Sequence, residues 1–398
     1  YQTTCLCEDG VHVSVESPVA LRANDDFGFD FRDPKVETGM SGEAIDPDRA
    51  YMVTATNLPV TAFDADAVAS AAPGISTQGT GGWFTYGPQG KPGVDKPNMD
   101  TVPAMTLFSA KKPLKRNATW RYEGPVLADF GHQLSRTYEC PDLFQLDGKT
   151  VAVGALMHYR DKQGRFQQVR WYAGDLKTAA DGPRLEVENS DWCDFGTGYY
   201  ATQSFAADDG RRIVFGWFTD FPAMRVEKPC IANGMMSLAR ELHVRDGRLT
   251  SRPVEEVYER LLGERLQARA DDAATIFDAP NNAYYADVRL ADDADFTMTI
   301  ATGANPADGE PTELLLQRRN GVTRLVTKGT IVDDDDFDSG IADVRRVEIF
   351  FDRSVVEVFL NDGEAAGSML FQGKDGDGEF RLAADGKVEG TDVRSLGS

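Results

Sequence analysis

Residues 314–326, LLLQRRNGVTRLV, indicate how most of this chain folds. Two short apolar runs flank Asn320-Gly321, and a type I′ turn needs positive φ at both central positions, which Asn and Gly adopt readily. The segment therefore predicts a β-hairpin. Other short apolar or alternating runs are closed by Gly, Asp or Asn, as at 151–157, 212–218 and 296–300. Many short strands with turn signals between them predict an all-β fold: a sandwich, a barrel or a propeller.

One segment departs from this strand pattern. Between Val254 and Leu261, apolar residues recur at i, i+3, i+4 and i+7, which is the spacing of one helix face. We therefore expect a linker helix at 253–263, joining a domain at 1–252 to a second β domain at 264–398.

One stretch of the first domain differs in composition from its surroundings. Residues 71–98 contain seven Gly and four Pro, a composition typical of an irregular loop. Such a loop is typical either of a lid over a pocket or of a disordered segment on the surface, and the sequence does not decide between them.

Composition limits the partners of the chain. Its 398 residues include 42 Lys+Arg against 64 Asp+Glu, a net charge of −22, which argues against nucleic acid or an anionic membrane as a partner. No apolar run is long enough to span a bilayer. The five cysteines form no CxxC pair and the four histidines complete no zinc pattern, so no metal site is expected. Few cysteines and no visible signal peptide favour the cytoplasm, with secretion as the alternative, and the oligomeric state stays open.

Two acidic segments have groups suited to sugars. Arg32 and Asp33 precede a proline and place a fork-shaped donor beside a carboxylate, which together suit vicinal hydroxyls. Glu139 and Cys140 lead into an apolar strand, where a glutamate can serve as a general acid. A surface ion pair and a strand-edge glutamate are the alternative interpretations of these segments.

A third segment, Asp194 to Gln203, is rich in aromatic and amide side chains. These groups suit the wall of a sugar pocket, although an ordinary aromatic strand has the same composition.

Taken together and in this order, these segments resemble motifs of glycoside hydrolase family 32, which includes invertases, levanases and inulinases. Arg32-Asp33-Pro34 looks like the RDP motif of the family, and Glu139-Cys140-Pro141 looks like its EC motif. Four further segments are similar to the tyrosine-alanine box, the strand ending in Gly-Trp, the MTLPREL segment and the signature near the end of the sandwich: 194–203, 212–217, 236–242 and 352–363.

This resemblance implies a five-bladed β-propeller followed by a β-sandwich. It implies retaining hydrolysis of terminal β-D-fructofuranosyl bonds in sucrose, sucrose phosphate or short fructans. Glu139 would be the general acid/base, and Asp33 with Arg32 would bind the hydroxyls of the sugar ring. No cofactor is expected, because carboxylates supply both proton transfer and covalent catalysis. The remaining substrate-binding residues would be Cys140, Tyr200, Gln203 and Trp217.

The chain also departs from the family in two ways. The 106 residues between Asp33 and Glu139 are more than the resemblance implies, so we expect an insertion at about 37–105 that contains the Gly/Pro-rich stretch 71–98. The nucleophile of the family lies in an Asn-Asp-Pro-Asn-Gly motif upstream of RDP, and the 31 residues before Arg32 do not contain it. We therefore expect part of the propeller to precede Tyr1, and the chain as given to bind sugar without efficient turnover. Two alternative functions follow: a non-catalytic carbohydrate-binding propeller that lost the nucleophile, and a fructosyltransferase of the same family.

The positions of three acidic side chains can also be expected. Glu139 and Asp33 should face a common pocket although they are 106 residues apart, because the mechanism needs both around one sugar ring. The domain 264–398 should contribute no catalytic residue. Its Glu357 stands between valines and should point outward from a strand whose other face is buried.

Overall fold

The computed structural model describes most of the chain as short antiparallel strands. The described residues are 2–6, 13–19, 29–63, 83–86, 92–95, 101–115, 118–133, 135–180, 182–218, 234–270, 273–291, 294–305, 308–329, 336–371, 378–384 and 388–397. Within these ranges, no helix is long and apolar enough to cross a bilayer. The chain divides into two compact units, Tyr1–Arg160 with Arg170–Asp191, and Asp161–Val169 with Trp192–Ser398.

The first unit contains two hairpins and two four-stranded antiparallel sheets. The hairpins are β1 (Gln2–Leu6) with β2 (Val13–Val19), and β5 (Trp83–Tyr86) with β6 (Pro92–Asp95). The first sheet has the order β3 (Phe29–Glu37), β4 (Arg49–Pro59), β7 (Thr101–Lys111), β8 (Arg121–Ala128). The second sheet has the order β12 (Gly182–Trp192), β11 (Val169–Ala179), β10 (Lys149–Leu156), β9 (Tyr138–Leu146). Single 3₁₀ turns cover Val60–Ala62 and Phe130–His132.

The second unit begins with a third sheet of the same kind and continues into two larger sheets. The third sheet has the order β13 (Tyr199–Ala206), β14 (Arg212–Phe218), β16 (Arg240–Arg245), β17 (Arg248–Pro253), with β15 (Met235–Met236) beside β14. Helix α1 follows at Glu255–Leu261, inside the range 253–263 predicted for a linker helix.

Two antiparallel sheets make up the rest of the second unit. One has the order β18 (Leu262–Arg265), β30 (Val388–Leu396), β21 (Ala283–Leu290), β26 (Arg346–Asp352), β27 (Val355–Leu360), β28 (Ala365–Leu370). The other has the order β19 (Ala268–Ala270), β20 (Thr275–Asp278), β29 (Glu379–Ala384), β22 (Phe296–Ala304), β23 (Pro311–Arg319), β24 (Val322–Lys328), β25 (Asp336–Asp338). Single 3₁₀ turns cover Pro280–Asn282 and Asn361–Gly363.

These two sheets pack face to face around one hydrophobic core. Ile349 and Val358 of the six-stranded sheet meet Leu314 and Leu316 of the seven-stranded sheet there, and all four are fully buried. Alternate residues of each strand face this core, as a sandwich requires. The predicted hairpin is present, since Arg319 pairs with Val322 across Asn320-Gly321, whose φ values of 53° and 77° are both positive. The all-β prediction is confirmed.

The outer face of the six-stranded sheet is covered too. Tyr285, Phe350 and Phe359 form a second apolar cluster there with Ile213 of β14 and Val257 of α1. Glu357 lies on this outer face, as the strand alternation predicted, but it is not in solvent and only 3% of it is exposed. The sequence pattern identifies the face of a strand and does not show whether another sheet covers that face.

The predicted insertion at about 37–105 stays a prediction. Part of this range belongs to a regular sheet, because strand β4 pairs with β7 along its whole length, from Arg49 opposite Lys111 to Pro59 opposite Thr101. Much of the Gly/Pro-rich stretch 71–98 lies outside the described residues. The domain boundaries at 252 and 264 remain predictions.

Candidate functional site

Two strands of the first unit bring four of the predicted site residues together. Arg32 and Asp33 lie on β3, and Glu139 and Cys140 lie near the start of β9. Arg32 Nη1 donates to Glu139 Oε1 at 2.6 Å, and the backbone amide of Cys140 donates to Asp33 Oδ2 at 3.0 Å. Two carboxylates that are 106 residues apart in the chain are thus held in one cluster, which we call the Glu139 cluster.

Local backbone distortion positions these side chains. Asp30, Asp33 and Cys140 have φ values of 54°, 52° and 50°, in the left-handed region that residues with a Cβ seldom adopt. The pairing of β3 with β4 shifts on both sides of Arg32, which marks β-bulges. Bulges redirect side chains and are common beside active sites, where backbone strain also concentrates. Asp33 and Cys140 each precede a proline, which donates no hydrogen bond to a sheet.

Further charged residues surround the Glu139 cluster. Asp30 accepts hydrogen bonds from Arg32 Nη2 at 3.4 Å and from Arg136 Nη2 at 3.0 Å. Lys35 donates to Asp142 Oδ2 at 2.7 Å, and Asp142 is buried. Sequence reasoning did not single out these residues. Asp30 had a usable signal, because residues two apart on a strand share one face and Asp30 is two residues before Arg32.

Tyr138, the residue before Glu139, belongs to a buried polar network. Its hydroxyl donates to Tyr172 at 2.6 Å, and the Tyr172 hydroxyl bonds Asp129 Oδ2. His132 Nδ1 lies 2.7 Å from the same oxygen. Burial opposes ionisation of Asp129, but His132 and the hydrogen bonds from His132 and Tyr172 outweigh it and lower the pKa of Asp129 to about 2. The network keeps an anion buried beside the start of β9.

The other predicted site residues lie in the second unit. Tyr200 on β13 is opposite Trp217 on β14, with ring centroids 6.4 Å apart. Gln167 Nε2 donates to the Tyr200 hydroxyl at 3.3 Å, a contact that no sequence signal announced. Ala201 has a φ of 50°, and the strand register shifts between Tyr200 and Gln203. Tyr200 is buried, Trp217 is half-buried and Gln203 is exposed. We call these three residues the Tyr200 cluster.

The Glu139 cluster has the groups that carbohydrate chemistry needs. A carboxyl group can donate or accept a proton at a glycosidic oxygen, and a guanidinium bonded to it fixes its orientation. Adjacent carboxylate and guanidinium groups bind vicinal hydroxyls through charge-assisted hydrogen bonds. Among the described residues, no group of three or more His, Cys, Asp or Glu side chains is arranged to hold a metal ion.

Comparison with known proteins gives a consistent result. The family model described as "Glycosyl hydrolases family 32 N-terminal domain" matches residues 105–253, and the model "Glycosyl hydrolases family 32 C terminal" matches residues 266–396. A solved structure of a glycoside hydrolase family 32 protein from Bifidobacterium adolescentis is 77% identical, with a TM-score of 0.91. The alignment covers 98% of this chain and 62% of that one.

Curated relatives point to the same family. A sucrose-6-phosphate hydrolase of Escherichia coli is 30% identical over 261 residues, which are 62% of this chain and 52% of the relative. A raffinose invertase of Escherichia coli is 30% identical over 270 residues, again 62% and 52%. The chain thus spans about half the length of these relatives. A β-fructofuranosidase of Bombyx mori, 18% identical with a TM-score of 0.68 over 98% of this chain and 71% of its own, shares the fold.

Proposed function

Because the chain belongs to glycosyl hydrolase family 32, we propose that its protein is a retaining β-fructofuranosidase whose general acid/base is Glu139. The family membership also identifies the fold as a β-propeller followed by a β-sandwich, while the number of blades stays a prediction. The observation that carries the proposal is the pairing of Arg32 with Glu139 at 2.6 Å, beside the bond from the Cys140 amide to Asp33 at 3.0 Å.

In this proposal, each residue of the Glu139 cluster has a distinct role. Glu139 protonates the glycosidic oxygen as the bond to fructose breaks, and then takes a proton from the attacking water. Arg32 binds Glu139 Oε1 and so fixes the plane of the carboxyl group. Asp33 accepts hydrogen bonds from ring hydroxyls, which strengthen as positive charge develops on the ring in the transition state. The nucleophile is not assigned to a residue of this chain.

The substrate class follows from the relatives. Proteins named sucrose-6-phosphate hydrolase and raffinose invertase match more than half of the chain. We therefore propose terminal fructosides as substrates, namely sucrose, sucrose phosphate and short fructans. Turnover requires a second carboxylate about 5–5.5 Å from the acid in a retaining enzyme.

The test combines two proteins. One is the 398-residue chain, and the other is a chimera that joins it to the residues of the Bifidobacterium adolescentis chain that it does not cover. The chain should bind fructose, and the chimera should release fructose from sucrose and sucrose phosphate, initially as the β anomer. Replacing the acid by Glu139→Gln should lower the turnover of the chimera by about 10²–10⁴-fold.

Glu186→Gln is the matched control, because Glu186 is an exposed residue of β12 in the same unit. It should leave turnover unchanged. An inverted product would contradict the retaining mechanism. Equal turnover in the Glu139→Gln and Glu186→Gln proteins would contradict the assignment of Glu139. If the 398-residue chain and the chimera both bind fructose and neither releases it from sucrose, the result would favour a carbohydrate-binding protein. Transfer of fructose to a second sugar would favour a transferase.

A further inference from the structure

A buried cluster of charges in the second unit takes no part in the chemistry proposed above. Arg240 of β16 lies between Asp194 and Glu357, and the exposed fractions of the three side chains are 0%, 1% and 4%. Glu357 belongs to the sandwich strand β27, and Asp194 begins the segment that leads into β13. The cluster therefore joins the sandwich to the third sheet.

Hydrogen bonds saturate this cluster. Arg240 donates to Glu357 Oε2 through Nε at 2.9 Å and Nη2 at 2.6 Å, to Ser368 Oγ at 2.6 Å, and to Asp194 Oδ2 at 3.3 Å. The Ser368 hydroxyl in turn donates to Asp194 Oδ2 at 2.7 Å. Glu357 Oε1 accepts from the amide of Leu238 at 2.7 Å. Ser368 thus relays the contact between the guanidinium and the second carboxylate.

Asp194 in turn fixes the course of the backbone that follows it. Its Oδ1 accepts from the amides of Gly196 at 2.8 Å and Ser368 at 2.7 Å. The amides of Phe195 and Gly198 donate to carbonyls of β28 at 2.8 and 3.0 Å. The approach is so close that a Cβ on Gly196 would lie 2.0 Å from the Ser368 carbonyl oxygen. Residues 194–198 are therefore fastened to the edge of the sandwich.

Arg240 also contacts the residue immediately before Tyr200. Its guanidinium carbon lies 4.1 Å from the centroid of the Tyr199 ring, within cation–π range. Another neighbour of this ring is Gly216 on β14, where a Cβ would lie 2.2 Å from Tyr199 Cε2. Tyr199 is thus confined by Arg240 and by Gly216, and its position sets that of Tyr200.

The electrostatics show that Arg240 is held as a cation. Burial opposes its charge, but Glu357, Tyr199 and Asp194 together raise the pKa of Arg240 above its ordinary value. Burial raises the pKa of Asp194, despite the opposing effects of Arg240 and its hydrogen bonds. Buried ion pairs give little net stability compared with apolar side chains of the same volume, so such a cluster is better explained by the geometry that it imposes.

We propose that Glu357 is a positioning residue for the fructosidase: acting through Arg240, it holds the segment 194–200 so that Tyr200 keeps its place in the Tyr200 cluster. This inference rests on the proposed function, and on the substrate-binding role that the family resemblance implies for Tyr200. It gives the sandwich a part in sugar binding, although no described residue of the sandwich is assigned a catalytic role.

The test uses the 398-residue chain with Glu357→Gln, which keeps the shape of the side chain and removes its charge. Hydrogen exchange at the amides of Gly196 and Gly198 should accelerate by at least about tenfold, while exchange at Leu314 and Leu316 in the core of the sandwich stays unchanged. The dissociation constant for fructose should rise by about fivefold or more. Glu357→Asp, which restores the carboxylate, should recover part of both losses.

Glu389→Gln is the matched control, since Glu389 is an exposed residue of β30 in the same sheet. It should change neither exchange nor affinity. If Glu357→Gln does not fold, Ser368→Ala removes only the relay to Asp194 and should show the same two effects to a smaller degree. The inference would be overturned if Glu357→Gln left hydrogen exchange at Gly196 and Gly198 unchanged. It would also be overturned if that exchange became faster while the affinity for fructose stayed the same. A wild-type chain that binds no fructose would contradict the proposed function, and this inference with it.

Discussion

At the scale of single residues, the Glu139 cluster depends on opposite charges placed within hydrogen-bond distance. Arg32 contacts both Glu139 and Asp30, so one guanidinium fixes two carboxylates. Lys35 has the same relation to Asp142, which is nearly inaccessible to solvent. Each cation also reduces repulsion among the acids, which would otherwise disfavour so many carboxylates in one place.

The buried carboxylate Asp129 gives a prediction about pH. Its pKa falls from an ordinary 3.8 to about 2 in the folded protein, so ionised Asp129 stabilises the fold at pH values above its ordinary pKa. This contribution is lost as the pH falls from about 4 to about 2 and amounts to about 2 kcal/mol. The difference in unfolding free energy between wild type and Asp129→Asn should therefore shrink by about 2 kcal/mol between pH 5 and pH 2.

Urea unfolding followed by circular dichroism at several pH values measures this difference. Asp48→Asn is the control, because Asp48 is exposed in the same unit. It should change the unfolding free energy by no more than about 0.5 kcal/mol. A pH-independent effect of Asp129→Asn would show that the buried network is not held by an ionised Asp129.

At the scale of strands, irregular pairing places the functional residues. The register of β9 with β10 shifts between Val153 and Ala155, opposite the start of β9 where Glu139 lies. Gly154 occupies this shift and has no room for a side chain, since a Cβ there would lie 2.7 Å from Met105 Cε and 2.9 Å from Tyr138 Cδ1. Tyr138 directly precedes Glu139, so packing at Gly154 and the position of the acid are coupled.

Gly154→Ala should therefore disturb both stability and sugar binding. The Met105 terminus can move aside, but the Tyr138 ring is held by its bond to Tyr172, so the added methyl group should cost about 1–3 kcal/mol of unfolding free energy. The dissociation constant for fructose should rise because the start of β9 shifts. Gly390→Ala is the control, since that position has no atom within 4 Å of the new Cβ. Equal stability of the two variants would show that β10 does not constrain Tyr138.

At the scale of the whole molecule, local patterns in the sequence were enough to predict local structure. The hairpin at Asn320-Gly321 follows from turn chemistry alone, and α1 follows from a helical spacing of apolar residues. The proximity of Asp33 to Glu139 was expected only because the motifs resembled those of a family and their mechanism requires it. No pattern within 28–35 or 138–142 by itself brings the two segments together.

Contacts between distant parts of the chain could not be predicted. Glu357 has the alternation of an outward-facing residue, and only the three-dimensional structure shows that Arg240, 117 residues away, covers it. Gln167 likewise meets Tyr200 through a loop whose course has no sequence signature. Long-range pairing of this kind depends on the register and packing of whole sheets.

The most direct measurement of the central claim is a crystal structure of the 398-residue chain with bound fructose. The claim is that residues 32–33 and 139–140 form one sugar site. We predict a fructose ring whose hydroxyls lie about 2.6–3.2 Å from carboxylate oxygens of both Asp33 and Glu139. Fructose bound elsewhere, with neither carboxylate in contact, would contradict the account.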